Sequence, residues 1–167
     1  MKNKPNTIET FEELTEKILV RGDLLSTYLR GHLMTEFICK KILRVKPNKY
    51  LKHIEKMGYY ELTKALYELQ YINDEEKKVL LEINKIRNSF AHDLTFFPTV
   101  VDLRILFQNA HNTFLEFFDG FSRSLKKLDE IEQISSSEIE ILIDFFMEIL
   151  YNLKCNFDQI FEEYNLI

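Results

Sequence analysis

The segment KIRNSFAH, residues 85–92, brings Arg87, Asn88 and His92 within two turns of a helix. Those three residue types carry groups that one reaction, transesterification of an RNA phosphodiester without a metal, could use. The reaction needs a group that takes the 2′-hydroxyl proton and a charge that stabilises the phosphoryl oxygens as they become more negative. An imidazole titrates near neutrality and suits the first task. A guanidinium stays charged and bonds two phosphate oxygens at once with its planar fork, which suits the second. Asn88, one turn before His92, can orient the ring or hold a phosphate oxygen, and the product would carry a 2′,3′-cyclic phosphate end. Around these catalytic candidates, Asn84 and Lys85 are candidate substrate contacts on the same segment, and Glu36 is one that could approach Arg87 from an earlier helix. A plain structural reading stands beside this one. A histidine in the last helical turn complements the helix dipole, and an arginine beside it can simply pair with an acid.

The elements that must position these residues are helical. Only four glycines and three prolines punctuate 167 residues, which favours long helices in an all-α, up-down bundle with a long C-terminal helix. Ile8, Phe11, Leu14 and Ile18 behind Thr7 predict a helix over about 7–20. A second helix is expected from Asp23 to about Arg44, before Pro47. Its Gly31 suggests the close approach of a neighbouring helix, since glycine costs roughly 1 kcal/mol of helix propensity against alanine. Short helices are expected at NKYLKHIEKM, ended by Gly58, and at YELTKALYEL. The segment starting at Asn73 or Asp74 carries acids in its first turn, as the dipole favours. On it, Val79, Ile83, Ile86 and Phe90 form one stripe for the core. Asn84, Asn88, His92 and Leu81 fall on the far face, and Arg87 lies on the flank between the two. A helix over about 99–127 rich in phenylalanine is expected next. SSSE then restarts the chain with a capping box from Ser135–Ser137 to Glu138 or Glu140, and a final apolar seam is expected to pair antiparallel with the 99–127 helix.

Charge divides the chain unevenly. The net charge is −5, which argues against loose binding to nucleic acid. From Leu128 onward, however, ten acidic residues face one basic residue, Lys154, so the first 127 residues are mildly basic. A core bundle over about 7–127 with an acidic helical extension over about 129–167, all one domain, is the organisation expected. Lys40, Lys41, Arg44, Lys46, Lys49, Lys52 and Lys56 form a run broken only by Glu55, read as the solvated side of a helix pair. Cys39 and Cys155 read as two buried thiols. The start has no apolar stretch behind its lysines and no window is long enough to span a bilayer, so a cytoplasmic protein with no membrane partner is expected. His32, His53, His92 and His111 are scattered without ligand spacing, and there is no glycine-rich phosphate loop or nucleophile elbow. No metal or cofactor is expected. His32 and Glu36, at i and i+4, read as an exposed hydrogen-bonded pair.

The stretch INDEEKKVLLEINKIRNSFAHDL, with Arg87 and Asn88 adjacent and His92 five positions after the arginine, resembles the signature of the HEPN superfamily of helical domains. The wider pattern, LRGHLMTEFICKKIL followed by MGYYELTKALYELQYINDEEKKVLLEINKIRNSFAH, is most similar to its mannitol-operon-repressor-like branch. The resemblance runs from about residue 22 to 97. It implies a four- or five-helix bundle that forms a homodimer and brings two arginine–histidine pairs into a cleft. Two functions follow as expectations: a metal-independent endoribonuclease of toxin–antitoxin, defence or RNA-processing type, with RNA and an antitoxin as partners, or a non-catalytic transcriptional regulator or interaction module that binds a regulatory protein. Membership in a fold family does not choose between them.

Overall fold

The computed structural model describes residues 11–20, 22–93, 96–114, 118–135 and 138–165. Among these the chain is all-helical, with α1 (Phe11–Ile18), α2 (Leu24–Val45), α3 (Tyr59–Glu68), α4 (Asp74–His92), α5 (Val100–Thr113), α6 (Asp119–Glu130) and α7 (Ile139–Asn165). The expected cap at Thr7 lies outside the described residues.

The helices that carry the candidate site start where their caps dictate. Asp23 caps α2 by accepting from the Ser26 N–H at 2.7 Å. Asn73 caps α4 reciprocally: its Oδ1 accepts from the Glu76 N–H at 2.9 Å while the Glu76 carboxylate accepts from the Asn73 N–H at 2.7 Å. Each such cap is worth about 1 kcal/mol. The stripe Val79, Ile83, Ile86 and Phe90 is buried as its spacing requires. Helix α2 locks onto α4 through Tyr28, a fully buried residue whose hydroxyl donates to the Ile83 carbonyl at 3.0 Å. Gly31 lies against Phe146 of α7. A Cβ there would stand 2.2 Å from the ring of Phe146, so the helix seam requires the bare backbone.

Four expectations are corrected by packing. First, residues 48–57 form turns and a single 3-10 turn, Ile54–Lys56, instead of an α-helix. Asn48 explains the difference, because its side chain donates to the Leu43 and Lys46 carbonyls and accepts from the Tyr50 N–H, offering the backbone an alternative to helix. Second, the expected 99–127 helix is two helices. Phe114 and Phe118 both adopt extended backbone, and the Phe118 N–H that opens α6 donates to Glu148 on α7 at 3.0 Å. Third, α7 packs mainly along α2 and also along α6 and α1, with Phe145 meeting Phe107 of α5. Its Leu142, Phe145, Phe146, Ile149 and Leu153 are fully buried in the same hydrophobic cluster as α2 and α4. Fourth, Cys39 is buried, with its thiol pushed up to about 12 by desolvation, but Cys155 is exposed. Of the capping box expected after residue 134, one half is seen: Glu138 accepts from the Ser135 N–H at 2.9 Å. Among the described residues no helix is long and apolar enough to cross a membrane.

Candidate functional site

Helix α4 ends at His92, and its face away from the core opens into a groove of about 480 Å³ lined by Tyr60, Leu81, Asn84, Lys85, Asn88, Ser89 and His92. Tyr60, from α3, is exposed and forms one wall. No carboxylate lines the groove. His92 and Lys85 are exposed, while Asn84, Arg87 and Asn88 are half-buried.

Arg87 reaches this groove at one remove. It sits on the flank, as its helical angle requires, and its Nη1 donates to Asn88 Oδ1 at 3.2 Å. Among the described residues no carboxylate stands within ion-pairing distance of it, and none pairs with His92. Among the described residues, then, no acid neutralises the arginine. Asn88 is the link, because it touches the guanidinium and lines the same groove as the imidazole.

Behind Asn84 lies His32 of α2. It is buried, not exposed as the sequence spacing suggested, and its Nε2 lies 3.3 Å from Asn84 Oδ1 while its ring stacks on Tyr59 at 4.3 Å between centroids. Tyr59 is fixed in turn by a bond from Thr35 Oγ1 at 3.1 Å. Burial holds the His32 pKa below the ordinary histidine value. The Asn84 bond opposes that shift, and the nearby Arg87 charge reinforces it. The sequence carried the signal for this burial: Leu24, Tyr28, His32, Thr35 and Cys39 recur at four- and three-residue steps along the buried seam of α2.

Glu36 does not join the groove. It pairs with Lys40 one turn further along α2, at 2.7 Å, and not with His32 or Arg87. The structure thus gathers Asn84, Lys85, Asn88 and His92 on one wall with Arg87 behind Asn88, and leaves Glu36 outside. The basic run is largely occupied as well: Arg44 pairs with Glu55, Lys49 with Glu68 at 3.0 Å and Lys46 with Glu163 at 3.4 Å. A larger cavity of about 850 Å³, between the α1–α2 junction, α6 and α7, includes Arg123 and Lys127 but also Glu140 and Asp144, and no candidate residue lines it. Among the described residues no group of three or more histidine, cysteine, aspartate or glutamate side chains could hold a metal ion.

No family model matches the chain, and no curated protein or solved structure shows significant similarity to it.

Proposed function

We propose that the chain is a HEPN-like helical domain that acts as a homodimeric, metal-independent endoribonuclease of the toxin, defence or RNA-processing kind, working in the cytoplasm. One observation carries the reading: a carboxylate-free groove at the end of α4 that holds an imidazole and is joined through Asn88 to a guanidinium, neither of them paired with an acid among the described residues. An RNA strand in this groove would meet His92 as the base that takes the 2′-hydroxyl proton. Arg87 retains donors beyond the one spent on Asn88, and these would stabilise charge on the phosphoryl oxygens as the 2′-oxygen bonds to phosphorus and the 5′-oxygen leaves. Lys85 and Asn84 would hold the strand. A second copy across this face would put two such sets together, with Leu33 and Tyr60 as exposed apolar contacts nearby on α2 and α3.

Incubation of the purified chain with RNA in EDTA tests the proposal. Wild type should cleave, and Arg87→Ala and His92→Ala should each lose roughly a hundredfold or more of the rate. A wild type that leaves varied RNAs intact would remove the ribonuclease reading.

A second reading, a non-catalytic regulator or interaction module of the mannitol-repressor-like kind, is favoured by a different observation. Arg87 is not itself among the residues that line the His92 groove. In that case neither alanine variant should alter the capture of a protein partner.

A further inference from the structure

Both asparagines of the groove have their carbonyl oxygens engaged. Asn84 Oδ1 faces the buried ring of His32, and Asn88 Oδ1 accepts from Arg87. Among the described residues neither amide nitrogen has a partner. Along the groove wall the Asn84 and Asn88 amide NH₂ groups and the Lys85 ammonium between them in sequence are the donors, beside the His92 imidazole. Ser89 does not supply a competing donor, because its hydroxyl is spent on the Lys85 carbonyl at 3.2 Å.

We infer that His32 is a positioning residue: its Nε2–H fixes the Asn84 carboxamide with NH₂ outward, so that this point of the groove wall takes an oxyanion, a phosphodiester oxygen in the proposed reaction. The inference rests on the proposed function and deepens it. An asparagine side chain is symmetric in shape but not in chemistry, and a half-turn would exchange acceptor for donor at the groove wall. Only the hydrogen-bond partner behind it decides which end points out. His32 is suited to that task because it cannot move: it is buried, its ring is held against Tyr59, and Tyr59 is held by Thr35. The neighbouring contact of the same two helices, Tyr28 to the Ile83 carbonyl, fixes the register that brings His32 opposite Asn84. Were His32 to carry its proton on Nδ1 instead, Nε2 would accept, the amide would flip and the groove would show a carbonyl.

Two readouts on the full chain test this. A long-range ¹H–¹⁵N correlation of the labelled wild type reports the tautomer directly; a protonated Nε2 is expected for His32, and a protonated Nδ1 with bare Nε2 would overturn the inference. The second readout is binding of a short fluorescent single-stranded RNA at low salt. Asn84→Asp, which replaces the outward NH₂ by a charged oxygen, should weaken binding roughly tenfold or more, and His32→Leu about fivefold. His32→Gln should restore binding, because its terminal amide places an N–H near the position of Nε2. Equal affinities across the set would refute the inference even if RNA is cleaved. If the wild type does not bind RNA, the proposed function fails separately, and pyrophosphate decides the inference. Its addition should shift the Asn84 side-chain amide resonances in the wild type, and unmoved resonances would overturn it.

Discussion

The polar cluster at the α6–α7 contact and the one between α2 and α4 differ in how they are closed. At the α6–α7 contact, fully buried Glu148 accepts from the Phe118 N–H at 3.0 Å and from Asn152 Nδ2 at 2.8 Å, and the same Asn152 nitrogen reaches the Glu148 carbonyl at 2.9 Å. Its bonds all return to the fold. In the cluster of His32, Asn84, Arg87 and Asn88, the amide oxygens are bonded, but among the described residues the amide nitrogens are not and the guanidinium has no acid. Burying a polar group costs stability unless it is bonded, so a closed cluster holds structure together. An open one leaves its unused donors to a ligand.

The largest expected effect separates the two. Glu148→Ala removes the acceptor at the start of α6 and leaves a cavity, and it should lower unfolding stability by about 3 kcal/mol with little effect on RNA affinity. Asn88→Ala should do the reverse, with a stability change within about 1 kcal/mol and a clear loss of binding. Urea denaturation and RNA titration of both variants check this, and matched stability losses would erase the distinction.

A smaller effect is the pH dependence, which should run in opposite directions. Burial raises the Glu148 carboxyl pKa, against the Phe118 and Asn152 bonds that lower it. The folded chain therefore holds this proton more tightly than the unfolded chain, and the stabilisation is complete below the ordinary carboxylate value of about 4.3 and lost as pH rises through the folded value. His32 is lowered, chiefly by burial. Its contribution is complete above about pH 6.5 and is lost as pH falls through that value toward the folded one. Stability curves against pH should lose the first slope in Glu148→Gln and the second in His32→Gln. Curves parallel to wild type would contradict both assignments.

The same contrast explains what the sequence made legible. Helix α4, its cap at Asn73, its buried stripe and the grouping of Asn84, Asn88 and His92 all follow from neighbours within a few residues, where periodicity and capping act. Gly31 was readable because a helical glycine points to close approach, although only the fold shows that Phe146 makes it. The break near residue 114 was not readable, because the phenylalanine period continues across it. The acceptor that starts α6 comes from Glu148, 30 residues further along the chain. Nor could spacing along α2 show that His32 meets Asn84, 52 residues away. Reach alone suggests Glu36 for the site, whereas its carboxylate pairs with Lys40 one turn along its own helix.

Cleavage of matched RNAs in EDTA, one unmodified and one with every 2′-hydroxyl methylated, tests the central claim most directly. The account predicts that only the unmodified strand is cut and that its fragments end in 2′,3′-cyclic phosphate. Cutting of both strands, or of neither, would contradict it.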